Sequence, residues 1–288
     1  MSTTRLKIIA LIAMIIDHIG EFIPNTPIYF RWIGRISAPI FFFCMALGFY
    51  YTKDKKTYLL RLYLFGFSMS LINLIINLSI KTVPQVENNI FSTLFVSCFI
   101  IHLINLIYNS KKKIVYLVLF IIVQIFVTIL IVILDYIGIS WTINKFIADI
   151  CGNIFFVEGG ITFVALGILF YYIVWKRKYL IISYSFFCLI YTILYSTNIV
   201  ARILMKTEVI LPVNIHKSLQ VISSIIGINI YPIYHIRFFM PVNYYWMVIF
   251  ALPFILLYDG KKGKGYKYFF YIFYPIHIYV LFLIGYFI

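Results

Sequence analysis

The residues best able to do chemistry lie in the first apolar run, LKIIALIAMIIDHIG (6–20), where Asp17 and His18 interrupt a stretch otherwise fit for lipid. A titratable group in hydrocarbon is costly, so such groups normally face a protein interior or a water-filled cavity and act there. Histidine titrates near neutrality and is the commonest general base, and a nearby carboxylate can fix its tautomer and stabilise its protonated form. Successive helical side chains point about 100° apart, so Asp17 is expected either to orient His18 indirectly or to pair with a cation on another helix. Lys7 stands eleven residues before His18, about three turns plus 20°, which puts both on one face roughly 16 Å apart. A cation at the mouth of a bundle and an imidazole deep inside it suit an anionic ligand with a reactive far end. The plain alternatives are that Lys7 is a topological anchor and His18 a hydrogen-bonded packing residue.

The cations able to balance Asp17 follow in RWIGRISAPIFFFCMALGF, where Arg31 and Arg35 are i,i+4 neighbours on one helix face. Arg35 is the expected partner, because a buried guanidinium requires an anion or several carbonyls. Gly34, Ser37 and Ala38 beside it are small enough to let helices approach closely. Arg61, in TYLLRLYLF next to the basic KDKK (53–56), either snorkels to lipid phosphate or joins Lys7 in a phosphate-binding mouth. In YKYFFYIFYPIHIYVLFLIG, Tyr274 and His277 share a face at i,i+3 around Pro275 and form a second-rank pair. His102 has no polar company and reads as structural. The four cysteines, Cys44, Cys98, Cys151 and Cys188, are scattered singly through apolar surroundings. They are expected to be packing thiols, and no metal site is expected.

These groups need helices to hold them. Of the 288 residues 64% are hydrophobic and 11% charged, with a mean hydropathy of +1.01, which excludes a soluble domain that must solvate its own surface. The net charge of +15 would suit nucleic acid in a soluble chain, but here the basic residues sit in short clusters between apolar runs. That is the positive-inside pattern of a protein whose partner is the bilayer, not nucleic acid. Segments near the span length of about 20 residues fall at 6–24, 31–52, 57–79, 90–109, 114–137, 157–175, 179–201, 242–258 and 268–288. The expectation is therefore an all-α polytopic membrane protein of nine to eleven helices in one bundle, a single domain over 1–288. The loops KDKK, SKKK (110–113), WKRK (175–178) and DGKKGKGYK (259–267) fall on one side with Arg5 and Lys7. This puts the N-terminus in the cytoplasm and the C-terminus outside, with the first segment retained as a span. Trp32, Trp141, Trp175 and Trp246 lie at or near span ends, where indole rings favour the lipid–water boundary. The stretch 202–241 is expected to be a re-entrant or interfacial outer segment, with an extra pair of crossings as the alternative, and 138–160 is an interrupted, polar outer segment of the kind tolerated where it lines a cavity.

LKIIALIAMIIDHIG, RWIGRISAPIFFFCMALGFYYT, TYLLRLYLFGF and the closing LPFILLYDGKKGKGYKYFFYIFYPIHIYVL together resemble the TraX family, whose namesake acetylates the N-terminus of a conjugative pilin subunit. The middle of the chain resembles it more loosely, with Glu158 of FVEGGITFVALGILFYY at the place of an acidic residue before a glycine-containing helix. The same residues are similar to a broader superfamily of transmembrane acyltransferases, many of which carry an arginine, ten intervening residues and a histidine in the first helix. Lys7 and His18 stand at those positions; lysine keeps the charge but loses bidentate phosphate recognition.

The resemblance implies an integral-membrane acetyltransferase, in a bacterial cytoplasmic membrane, that uses acetyl-CoA as acyl donor. It implies a role for His18 and Asp17 in catalysis and for Lys7, Arg35 and Arg61 in holding the donor. The acceptor would be a peptide or pilin N-terminus or a cell-envelope glycan at the outer face, where His216, Lys217, His235 and Arg237 could form an acceptor platform. Glu158, Tyr274 and His277 are second-rank candidates. The competing class is a proton-coupled transporter or flippase, which would also use intramembrane Asp17, Glu158 and His277.

Overall fold

A computed structural model describes residues 1–80, 84–110, 113–237 and 239–288; Lys111 and Lys112 of the basic SKKK loop lie outside the described residues. Most of the described residues are helical, and no strand occurs among them. In order the α-helices are α1 Thr3–Phe22, α2 Tyr29–Gly34, α3 Ser37–Tyr51, α4 Lys55–Ser79, α5 Ile90–Asn109, α6 Ile114–Tyr136, α7 Trp141–Ile150, α8 Gly160–Ile173, α9 Arg177–Ser196, α10 Ile199–Ile210, α11 Val213–Ile225, α12 Ala251–Leu256 and α13 Lys267–Phe287. A 3-10 helix, Tyr245–Phe250, runs into α12.

Six segments among the described residues are long and apolar enough to cross a membrane: Tyr29–Tyr51, which joins α2 and α3, then α4, α5, α6, α9, and Tyr268–Phe287 of α13. Each corresponds to an expected span. The other three expected spans came out differently, for physical reasons. The 6–24 span is a 20-residue helix, but Arg5, Lys7, Asp17 and Glu21 make it more charged than the six. The 157–175 span is a helix of only 14 residues, because Gly159 and Gly160 take positive φ values of 74° and 55° and hold the preceding chain out of the α conformation. The 242–258 span divides into six 3-10 residues and six α residues.

Two compact units partition the chain: Met1–Phe41 with Trp175–Gly265, and Phe42–Val174 with Tyr266–Ile288. In the first, α1 packs against α2, and α9 against the 3-10 helix. The chain turns at Arg35 and Ile36 between α2 and α3, where Pro39 cannot donate to the carbonyl of residue 35 and its ring crowds that carbonyl. Among the described residues of 202–241 no helix is long and apolar enough to cross; they include most of α10, all of α11 and irregular backbone after it. Asn198 ties that stretch down, accepting from Ile233 N at 3.0 Å and donating to the carbonyls of Ile233 and Ile236 at 2.8 and 3.2 Å.

In the second unit α5 is the central post. Gly66 of α4 and Gly167 of α8 face it, and a Cβ on either would stand 3.0 Å from Ser92 Oγ or 2.8 Å from Ser97 Oγ, respectively. Phe42, Phe43, Phe49 and Phe170 are almost wholly buried there. The interrupted segment 151–159 is pinned by buried Gln124 of α6. Its side chain donates to Gly152 O at 3.1 Å and accepts from Ile154 N at 2.8 Å, and Asn153 Nδ2 donates to Thr128 Oγ1 at 2.9 Å. Non-helical backbone inside a membrane protein must find such partners within the protein.

Candidate active site

The first unit gathers acid, cation and imidazole where α1 crosses α2. Asp17 and His18 are buried on α1, 7% and 4% exposed, and Glu21 lies one turn beyond them. Arg35 Nη2 donates to Asp17 Oδ2 at 2.5 Å. Arg31 Nη1 donates to the Asp17 carbonyl at 3.0 Å and to Glu21 Oε2 at 2.7 Å. Two carboxylates thus meet two guanidinium groups, so neither charge is left buried without compensation. Asp17 reaches its partner on a neighbouring helix, the second of the two arrangements open to it in the sequence, and that partner is the expected Arg35.

Close helix approach makes this possible. A Cβ on Gly34 would fall 2.1 Å from Asp17 Cβ, and one on Gly20 would fall 2.9 Å from Phe30 Cβ, so neither position has room for a side chain. From the far end of the chain, Tyr244 OH accepts from Arg31 Nε at 3.4 Å, and the Arg35 guanidinium lies 5.3 Å from the Tyr244 ring centroid and 5.7 Å from that of Tyr245. Such aromatic faces stabilise a desolvated cation.

One oxygen stands apart. Asp17 Oδ1 lies 3.0 Å from Arg31 Nη1 as an ion pair, yet it is buried with no hydrogen-bond donor directed at it among the described residues. Potential ligand atoms of Asp17, His18 and Glu21 all lie within 4.8 Å of one another, close enough to share a metal ion. A metal would have to compete with Arg35 for Asp17 and with Arg31 for Glu21. The centre as built is therefore a histidine beside an arginine-neutralised acid pair. The His18 ring lies 6.1 Å from that of Phe22, which is also buried.

Lys7 and His18 sit on the same unbroken helix, so their eleven-residue spacing is helical throughout. Arg61 belongs to the second unit, on the second turn of α4, where its Nε donates to Thr57 O at 3.2 Å and its guanidinium lies 5.8 Å from the Tyr58 ring centroid. Of the residues expected to form an acceptor platform, His216 is buried with Nδ1 3.1 Å from Thr207 Oγ1, whereas Lys217, His235 and Arg237 are exposed.

The second unit brings the second-rank residues together. Tyr274 OH donates to Glu158 Oε2 at 3.2 Å, Asn89 N donates to the same oxygen at 2.5 Å, and the Tyr274 and His277 rings lie 5.7 Å apart. Sequence reasoning missed the adjoining group around Asp149 of α7. Lys145 Nζ meets Asp149 Oδ1 at 2.6 Å, and Oδ2 accepts from Ser70 Oγ at 2.8 Å and Asn89 Nδ2 at 3.1 Å. Beside it is a cavity of about 10 Å³, lined by Asn73, Asn77, Thr142 and Lys145 among others, which is room for about one water. The i,i+4 spacing of Lys145 and Asp149 was a legible signal; Asn89 and Ser70 carried none.

The family described as TraX protein matches residues 2–285 of the chain. No curated protein and no solved structure matches it.

Proposed function

The chain belongs to the TraX family over nearly its whole length, and on that premise we propose that it is an integral-membrane acyltransferase. It moves acetyl from cytoplasmic acetyl-CoA to an amine or hydroxyl of an acceptor on the outer face, either a peptide N-terminus or an envelope glycan. The supporting observation is buried His18 beside Asp17, whose Oδ1 still lacks a donor. An acceptor amine supplies that donor with one N–H and offers another proton to His18, whereas a hydroxyl acceptor has a single proton, which goes to His18. His18 takes the acceptor proton as the nitrogen or oxygen attacks the thioester carbon. The C–S bond then breaks, and the sulfur leaves as thiolate and recovers the proton from the imidazolium as a free thiol. In the covalent variant of this route, the imidazole itself attacks first and passes the acetyl group on. Asp17, held by Arg31 and Arg35, keeps negative charge near the imidazolium without swinging away.

On this reading α1, charged as it is, crosses with its start in the cytoplasm. With α8, the 3-10/α12 segment and the broken outer regions it brings the crossings to nine or more, in a bacterial cytoplasmic membrane. Donor and acceptor then arrive from opposite sides. Sealed vesicles of known orientation test this, with acetyl-CoA on the cytoplasmic face and a membrane-impermeant amine or glycan on the other. Acetylation across the membrane is expected. Transfer only when both are on the cytoplasmic face would leave an inner-face enzyme, and no CoA release with any acceptor would favour the transporter reading.

A further inference from the structure

The basic loop DGKKGKG (259–265) is more than a charged connection. Its carbonyls are gathered by the start of α1: Thr3 N donates to Lys261 O at 2.9 Å, Thr4 N to Lys262 O at 3.2 Å, and the Thr3 hydroxyl to Lys262 O at 2.6 Å. The Thr4 hydroxyl donates to Lys262 O at 3.0 Å and to Lys264 O at 2.6 Å. Gly263, at φ 76°, fits only because it lacks a side chain; a Cβ there would stand 2.6 Å from Ser2 Oγ and 2.9 Å from Thr4 Oγ1. The loop is thereby held in one shape, with the carbonyl oxygens that would repel an anion turned onto α1. Lys261, Lys262 and Lys264 stay exposed on it, and exposed Arg5 lies on the adjoining turn.

This arrangement accumulates like charge. Within residues 1–16 and 257–265 there are five basic side chains and a single acidic one, Asp259. Asp259 accepts from Lys261 N at 2.9 Å and lies 3.4 Å from the Met1 amino group. The cations also crowd the positive end of the α1 dipole, where a basic side chain is unfavourable. A seated lysine loop in that setting is stabilised by an incoming anion.

We infer that the 259–265 loop, seated on the start of α1, is a binding surface for phosphate groups, supplied either by a nucleotide-type thioester donor or by an anionic lipid headgroup. Phosphate binding stands on the loop alone; assigning it to the donor rests on the acyltransferase reading. In that case the phosphates lie at one end of α1 and the reacting thioester near His18, about 22 Å along the same helix at 1.5 Å per residue.

The test uses the full-length protein in nanodiscs and reads binding without turnover, so the absence of acyl transfer would leave it intact. Calorimetry with free CoA in phosphatidylcholine discs compares wild type with K261Q/K262Q/K264Q and with Gly263→Ala, each checked for helical content by circular dichroism. A companion series measures the motionally restricted fraction of spin-labelled phosphatidylglycerol. If the donor is the ligand, the triple variant binds CoA about tenfold more weakly or worse, and with a shallower salt dependence. If the headgroup is the ligand, CoA affinity is unchanged while the restricted lipid fraction falls. Wild-type values in both series for the triple variant would reduce the loop to a topological anchor and overturn the inference. Unchanged binding in Gly263→Ala would also overturn it, because loose charge rather than the seated loop would then be responsible.

Discussion

Asp17 and Asp149 are both buried carboxylates in an apolar chain, but their surroundings differ in kind. Asp149 has each oxygen satisfied, one by Lys145 on its own helix and the other by Ser70 and Asn89. Asp17 is held just as firmly by Arg35, yet its second oxygen has an ion-pair neighbour and no hydrogen bond. A closed polar network fixes backbone geometry, and around Asp149 it joins α4, the start of α5 and the broken α7 segment. An acid with an open acceptor beside a buried histidine retains capacity for a substrate atom. By this criterion the second unit's centre is built for architecture, and the first unit's is the candidate for the proposed chemistry.

The largest expected effect is on the chemical side. His18→Ala should lower acyl transfer by about 10²–10⁴-fold, the usual contribution of a general base, with little change in thermal unfolding. Thiol release by purified protein measures the first and a melting curve in detergent the second; unaltered turnover at equal protein level would remove His18 from the mechanism. Asp149→Ala should invert that pattern. It strands the Lys145 ammonium in a buried site and should destabilise the fold by about 3–5 kcal/mol, while the molecules that remain folded keep their turnover. A selective loss of turnover without loss of stability would make Asp149 a participant in the chemistry and erase the contrast. Smaller effects are expected from Lys7→Ala and Arg61→Ala, which should raise KM for acyl-CoA several-fold more than they lower kcat. An unaltered KM in both would assign them to topology.

Much of the first centre was legible because local rules define it. Asp17 needs a cation, Arg31 and Arg35 are the intramembrane cations on the next apolar segment, and Gly34 between them permits the close crossing. Glu21 could have been found by the same i,i+4 reasoning that paired the arginines. Tyr244 could not, because it reaches Arg31 across 213 residues of chain and nothing local distinguishes it among 25 tyrosines. The same division holds for the fold. Six long spans were readable from hydropathy alone, whereas the shortness of α8 depends on two glycines entering left-handed conformations, which composition does not announce. The interruption at 138–160 was visible as polarity, but its anchoring by Gln124, a lone amide in the most apolar helix, becomes apparent only in three dimensions.

The ion pairs between α1 and α2 also bear on how the chain enters the bilayer. On the proposed nine-crossing reading α1 is made before the arginines, and by itself it would carry Asp17 and Glu21 into hydrocarbon with no counter-charge, at a penalty an isolated helix bears poorly. Arg31 follows Glu21 by ten residues and Asp17 and Arg35 are eighteen apart, and the absence of side chains at Gly20 and Gly34 lets the two segments close on each other. Lateral release from the insertion machinery is therefore expected to be concerted, with α1 and the following Tyr29–Tyr51 segment leaving as a charge-compensated hairpin rather than one after the other.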